Sequence, residues 1–399
     1  VSYVLSAGNV VTPDAVLSPG YVAVHDGLVT AVGEGAPGGN LSGAVIDLGA
    51  RTVAPGYFDV HVHGGDGAQV NGEDMSGVAA SVEQMARFHA RFGTTSLLAT
   101  TVSDSPERLR ATVEGVAEVV RAGSVPGGAT VRGIHLEGPW IARARMGAHH
   151  PDSLRLPDVA ELASLLAASG GCIRMVTMAP ELRGGRELIE AANAAGIGVA
   201  IGHTDADYDT TLGAIEAGAR HATHLFNAMA PPHHRRPGAA TALLLDDRVT
   251  LEVVADLEHV HPAVLALVAR CAPGRLVAVS DAVPAAGLEP GSYQIGHLEV
   301  SVEAGRVSLA SAPDTLAGSV LTMDAAVRNL VAVVGMPLDA AVAAASATPA
   351  WAAGFGDSGL GHIRAGAPAD LVVLEPDLSV AVTIVAGQAV FDPEGCMGG

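Results

Sequence analysis

Between Thr52 and Ser280 the chain repeats one two-part unit eight times: an apolar run of strand length, then a stretch of helical periodicity. The runs are Thr52 to Val62, Thr94 to Ala99, Thr130 to Glu137, Cys172 to Met178, Gly198 to His203, Ala222 to Phe226, Val249 to Ala255 and Leu276 to Ser280. Eight strands alternating with helices over roughly 250 residues are the length and pattern of a (β/α)8 TIM barrel, in the α/β class.

The flanks read differently. The first fifty residues alternate apolar and polar positions and are broken at Pro13, Pro19-Gly20, Asp26-Gly27 and Pro37-Gly38-Gly39, the pattern of short antiparallel strands and hairpins. Ser292 to Leu309 alternates again around Ala304-Gly305, which predicts a hairpin inserted before helices near Thr322 to Val334 and Leu338 to Ala347. Strand-like alternation returns from Ala369 to Phe391. Two β-rich ends most simply pair into one small β-sandwich, because each alone leaves unpaired edges and an uncovered face. The expected organisation is therefore residues 1–51 as the first part of the sandwich, 52–350 as the barrel with a hairpin insertion near 292–309, and 351–399 as the second part.

Composition narrows what this fold can do. Charged residues are 16% and aromatics 3%, so packing must come from small and β-branched aliphatics. A formal net charge of −20 repels polyanions and argues against nucleic acid or an anionic membrane surface as partner. All 22 basic residues are arginine. Without lysine there is no Schiff-base chemistry, no P-loop and no metal centre bridged by a carboxylated lysine. Cys172, Cys271 and Cys396 lack CxxC spacing, which reads as a reducing compartment, and Val1 to Val11 lacks the basic region of a signal peptide, so a cytoplasmic protein is expected. Ala340 to Gly356 is Ala/Gly-rich and interrupted by Pro349, a packed helix and loop rather than a membrane span.

One strand end carries the clearest chemical signal. Glu137 closes an apolar run at Gly138-Pro139, and a buried carboxylate needs a partner. His61 and His63 sit two apart on a strand and project to one side; His203 ends the fifth run and His224 lies in the sixth. An isolated HxH is more often a pair of polar strand-end residues than a metal site. Here five nitrogen and oxygen ligands fall where strands meet the loops at the C-terminal face, where this fold keeps its active sites. Imidazole and carboxylate without thiolate point first to Zn²⁺, with Fe²⁺, Mn²⁺ or Co²⁺ as alternatives. Glu137, His203 and His224 would hold one ion and leave a position open for water; His61 and His63, with Glu137 as bridge, could hold a second.

Asp281 follows the eighth run. As a plain residue it is a helix cap or loop aspartate; as a functional one it is the base and acid beside an activated water. His149, in the loop after the third strand, is either a loop histidine or a donor to a polarised carbonyl oxygen. His233-His234-Arg235-Arg236 is the densest positive patch, a solvated loop or a phosphate contact. The other histidines, His221 among them, read as structural; His135 shares a face with Glu137 and reads as support for it.

Pro55-Gly56-Tyr57-Phe58-Asp59-Val60-His61-Val62-His63-Gly64, His135-Leu136-Glu137-Gly138-Pro139-Trp140, Gly202-His203-Thr204, Thr223-His224-Leu225-Phe226-Asn227-Ala228-Met229, Ser280-Asp281-Ala282 and Leu316-Ala317-Gly318-Ser319 resemble, in order, the N-acetylglucosamine-6-phosphate deacetylase family of the amidohydrolase superfamily. The resemblance covers essentially the whole chain. It implies hydrolysis of the acetamide of an N-acetylhexosamine 6-phosphate to the amine and acetate, a divalent metal, one or two ions per subunit, and a homodimer. By position Glu137, His203 and His224 match principal metal ligands, Asp281 the acid/base and His149 the carbonyl-polarising histidine. Ala148, Asn227, Ala228, Arg235, His259 and Leu316 match substrate contacts, the arginine often reaching the phosphate from a neighbouring subunit. Alternatives within the superfamily are the galactosamine epimer's deacetylase and a D-amino-acid deacylase; a catalytically silent barrel is the alternative of another class. One departure stands out: Asp256-Leu257-Glu258-His259 lacks the glycine the family usually places before its substrate histidine.

Overall fold

In the computed structural model of the chain, the described residues are 2–39, 41–72, 77–296 and 298–398. Eight parallel strands form one sheet in strict sequence order: Tyr57–Val62, Thr94–Thr101, Thr130–Glu137, Ile173–Met178, Gly198–Ile201, His221–Ala222, Thr250–Val254 and Leu276–Val279. The sheet closes where Val62 bridges Ala282 in parallel and Asp281 donates its N–H to the His61 carbonyl at 2.9 Å. The result is the expected barrel. Its strands are buried along nearly their whole length because helices cover the outside, so apolar residues recur on both faces.

Pro106–Ala122 shows why the helices form where they do. Ser105 caps it by accepting the N–H of Arg108, Pro106 supplies a preset φ in the first turn, and Gly123 ends it in the left-handed region at φ 79°. Leu109, Val113 and Val116 recur on one face and bury against the second and third barrel strands. Each such side chain contributes roughly 1.5–3 kcal/mol on burial. No helix among the described residues is long and apolar enough to cross a membrane.

Strands from both ends of the chain share a six-stranded sheet in which Thr52–Pro55 lies between Asn9–Val11 and Leu371–Leu374. A four-stranded sheet, with Ser2–Ala7 and Gly20–His25 at its centre, packs with it over a second core that includes Leu5, Val22, Val53, Leu371 and Ile384. The apolar run from Thr52 to Val62 is thus two strands in two sheets. The break is Gly56, where a Cβ would stand 2.2 Å from the Thr95 side chain, so only glycine lets the chain cross into the barrel there.

The insertion after the eighth strand is larger than one hairpin. Gly291–Ile295, Leu298–Glu303, Arg306–Leu309 and Ala312–Leu316 form a four-stranded antiparallel sheet, and Val300, Val302 and Val307 pack with Val283 and Ala317 into a third small core. That core seats the insertion over the C-terminal mouth of the barrel. Its last strand, where Asp314 and Thr315 are polar, shows too little alternation to be read from sequence.

Candidate active site

Strand ends bring the chemistry together. His61 lies on the first strand with His63 just beyond it, Glu137 ends the third, and His203, His224 and Asp281 follow the fifth, sixth and eighth. All six are buried. Glu137 is the centre: its Oε1 lies 3.1 Å from His203 Nε2, 3.0 Å from His224 Nε2 and 3.5 Å from His61 Nε2, and its Oε2 lies 3.2 Å from His63 Nε2. Asp281 Oδ1 lies 3.3 Å from His63 Nε2 and 3.5 Å from His61 Nε2.

The outer hydrogen bonds decide which way the imidazoles face. His63 Nδ1 stands 3.1 Å from the Thr100 carbonyl and His203 Nδ1 2.8 Å from the Arg145 carbonyl. A carbonyl only accepts, so each Nδ1 carries its proton outward and each Nε2 turns a lone pair inward. His61 does the same through the Glu252 carboxylate, 3.0 Å from its Nδ1. Lone pairs of His61 and His63 then meet at 3.1 Å beside two carboxylates, an arrangement that calls for a cation. His224 differs: its Nδ1 is buried without a hydrogen-bond partner among the described residues. The donor set fits a divalent metal. His149 is of another kind, since its Nδ1 accepts the Ser103 N–H at 3.1 Å, which puts the proton on Nε2, 3.5 Å from Glu137 Oε2. It is a donor to an oxygen rather than a lone pair for an ion.

Electrostatics follow the same geometry. Burial alone would raise the Glu137 carboxyl, but the charge of His61 and hydrogen bonds from His149 and His224 hold it well below the usual range. Burial would lower His63, yet hydrogen bonds to Asp281 and Glu137 lift it to about 9. Burial pushes Asp59 up to about 6, opposed by hydrogen bonds from Ser280 and the backbone of His61.

The turns that aim these groups are costly. His203 (φ 48°), His224 (φ 26°), Phe226 (φ 78°), Ala228 (φ 52°) and Asp281 (φ 50°) are all left-handed without being glycine. Such conformations cost of order 1–3 kcal/mol each and persist where neighbours over-determine them. They also end the sixth strand at Ala222, although the apolar run continues to Phe226.

A cavity of about 380 Å³ opens above Glu137, and Ala148, His149, Asn227, Ala228, His259 and Leu316 line it. Ile295 and Leu316 come from the inserted sheet, which is therefore one wall of the site. The missing glycine has an answer. Leu257 itself adopts φ 72°, and the Asp256 carboxylate accepts from the N–H of Glu258 at 2.9 Å, the N–H of His259 at 2.8 Å and His259 Nδ1 at 2.7 Å. His259 is thereby held with Nε2 as its free nitrogen. Arg235 is not brought in: it is exposed, its guanidinium lies 2.8 Å from His234 Nε2, and it does not line its own chain's cavity. Arg145, not singled out from sequence, does line it, paired with Asp205 at 2.7 Å.

Two buried carboxylates behind these histidines were also missed. Asp59 accepts from the Ser280 hydroxyl at 2.5 Å, and Glu252 holds His61. The signal existed, since each is an acid within an apolar strand run, the same reasoning that singles out Glu137. His221, read as structural, donates to Glu252 at 2.8 Å.

Residues 52–390 match the model of the Amidohydrolase family. The chain is 36% identical over 388 residues to an N-acetylgalactosamine-6-phosphate deacetylase of Escherichia coli O157:H7, covering 97% of this chain and 99% of that one. It is 38% identical over 356 residues to the human N-acetylglucosamine-6-phosphate deacetylase, covering 87% and 85%. Among solved structures, an aspartate-to-alanine variant of the N-acetyl-D-glucosamine-6-phosphate deacetylase of Mycobacterium smegmatis, in complex with N-acetyl-D-glucosamine-6-phosphate, superposes with a TM-score of 0.91 at 41% identity, covering 98% of this chain and 99% of that one.

Proposed function

The chain belongs to the amidohydrolase family, and we propose that within it this protein hydrolyses the acetamide of N-acetyl-D-glucosamine 6-phosphate to D-glucosamine 6-phosphate and acetate. The observation that carries the reading is the convergence of Glu137, His203, His224 and Asp281 on the floor of a cavity beside His149. It is supported by relatives named for this reaction along nearly the whole chain.

Glu137, His203 and His224 would hold one divalent ion, most simply Zn²⁺, with Fe²⁺, Mn²⁺ or Co²⁺ as alternatives, and His61 and His63 with Glu137 a second. Such an ion supplies Lewis-acid polarisation of the amide carbonyl and a more acidic water. The chain's own groups do the rest. Asp281 takes the proton of the attacking water as its oxygen bonds to the acetyl carbon. His149 donates from Nε2 to the carbonyl oxygen as negative charge builds there. When the C–N bond breaks, Asp281 returns the proton to the departing nitrogen, so one water is consumed and acetate and the amine leave. Ala148, Asn227, Ala228, Leu316 and His259 position the sugar. Arg235, turned away from its own cavity, serves the phosphate of a neighbouring copy in a homodimer. Three free cysteines agree with a cytoplasmic enzyme.

The test is metal analysis of the purified protein with amine release from four compounds: N-acetylglucosamine and N-acetylgalactosamine, each with and without the 6-phosphate. Highest kcat/KM on N-acetylglucosamine 6-phosphate is expected. Preference for the galactosamine epimer would reassign the substrate, and no amine release from any of the four by metal-loaded protein would overturn the reading.

A further inference from the structure

Glu252 lies on the seventh barrel strand, faces the barrel interior and is fully buried. It does not line the cavity. One of its oxygens, Oε2, accepts from His61 Nδ1 at 3.0 Å and from the backbone N–H of His224 at 3.1 Å. The other, Oε1, accepts from His221 Nε2 at 2.8 Å, while His221 Nδ1 pairs with the Thr250 hydroxyl. The Glu252 carbonyl also accepts the Leu225 N–H at 2.9 Å. A single carboxylate oxygen therefore joins the side chain of the first-strand histidine to the left-handed turn that carries the sixth-strand one.

We infer that Glu252 is a positioning residue of the metal centre, a buried strut that sets His61 and His224, ligands from its two halves, in register with each other. The inference rests on the reading of the site as a metal centre. Holding the His61 proton on Nδ1 turns its Nε2 lone pair toward Glu137 and Asp281, and outer partners of this kind tune metal affinity as strongly as some ligands do. Holding the His224 N–H steadies a φ of 26°, which an unsupported histidine would leave. His221 pins the second oxygen, so the carboxylate cannot rotate away.

Reach, rather than charge, is what this arrangement demands. Glu252→Gln keeps the reach: its amide oxygen can accept both N–H groups, and its NH2 can meet His221 Nε2 once that ring carries its proton toward Thr250. Glu252→Asp keeps the charge but draws the oxygens back by about 1.5 Å, one carbon–carbon bond.

The experiment uses the full chain, stripped of metal and titrated with Co²⁺, read by ligand-field absorption, with metal content per chain and the melting temperature of the stripped protein measured alongside. Glu252→Gln is expected within about 5-fold of wild-type affinity, and Glu252→Asp weaker by roughly 10- to 100-fold with an altered absorption band. A residue that only stabilised the barrel would shift the melting temperature and leave the Co²⁺ affinity of the folded chain unchanged. Wild-type affinity in Glu252→Asp, or Glu252→Gln binding as weakly as Glu252→Asp, overturns the inference. If Glu252→Asp does not fold, His221→Asn decides: it frees one side of the same carboxylate, a loss of roughly 3- to 10-fold supports the strut and wild-type affinity overturns it. A wild-type protein that takes up no Co²⁺ overturns the metal-centre reading itself, a result distinct from the others.

Discussion

His61 and His63 face each other through their Nε2 atoms at 3.1 Å, with both protons committed to Nδ1 by Glu252 and the Thr100 carbonyl. Two lone pairs at that distance beside Glu137 and Asp281 need a positive charge between them, whether a metal ion or a proton. Without metal the proton wins at neutral pH, because His63 is held at about 9: burial pushes it down, and hydrogen bonds to Asp281 and Glu137 more than offset that. Loading the stripped protein at pH 7 is therefore expected to release about one proton or more per chain, measurable from the buffer dependence of the binding enthalpy. Release below about half a proton would contradict this account. The same protein should melt at a higher temperature with metal than without, by about 2.7 kcal/mol of added stability at a hundred times Kd.

The role proposed for Asp281 rests on its placement: its Oδ1 sits beside both histidines while its backbone is locked to His61 by the 2.9 Å N–H to carbonyl bond that closes the barrel. Asp281→Asn keeps the shape and removes the base. A fall in kcat of roughly 10²- to 10⁴-fold is expected, with His203, His224 and Glu137 still holding metal. Turnover near wild type, with metal content confirmed, would remove Asp281 from the reaction.

How much of this was legible beforehand depended on whether a residue's partners lie along its own strand or across the barrel. His61 and His63 share a side because strands have period two, and Glu137 stands out because an apolar run cannot absorb a lone carboxylate; both follow from local rules. Barrel order follows from eight runs and eight helical stretches. Glu252 and His221 obey the same rules but carry no spacing signature; the pairing of the sixth and seventh strands brings His221 to Glu252, and the closed barrel brings Glu252 to His61. The left-handed turns at His224 and Phe226 ran against local propensity, so Ala222 to Phe226 reads as strand although only His221–Ala222 is. Leu257 in place of a turn glycine is the same case, rescued by three hydrogen bonds to Asp256.

Arg235 lies outside its own chain's cavity, yet makes no ion pair among the described residues, which leaves its guanidinium available to an anion from elsewhere. Arg235→Ala is expected to raise KM for the 6-phosphate substrate by about 10- to 100-fold, a loss of ~1.5–3 kcal/mol for a charged hydrogen bond, and to leave the unphosphorylated sugar unaffected. Equal loss on both substrates would argue against a phosphate contact. Mixing inactive Asp281→Asn chains with Arg235→Ala chains adds a second reading. Recovered activity on the phosphorylated sugar requires that the arginine act across a dimer.

His89 links the pH to the stability of the fold. It is fully buried in helix Val78–Ala90, donates from Nε2 to the Gly64 carbonyl at 2.9 Å, and keeps a buried Nδ1 without a hydrogen-bond partner among the described residues. Burial pushes its pKa down from 6.5 to about 4, only partly opposed by the bond to Gly64. Between those values the unfolded chain binds the proton that the folded one refuses, so stability rises with pH across the window. The contribution of this neutral imidazole is full above pH 6.5 and is lost as pH falls toward 4. From pH 7 to pH 5 the loss is about 2 kcal/mol. Glu and Asp partners elsewhere add their own acid sensitivity, so the telling quantity is the difference between two proteins. His89→Gln keeps a neutral N–H for Gly64 and cannot be protonated; its unfolding free energy in denaturant should fall by about 2 kcal/mol less than wild type's over the same two pH units. Parallel pH profiles for the two proteins would show that His89 is already solvated in the folded state, against its place beneath Phe88 and Gly65.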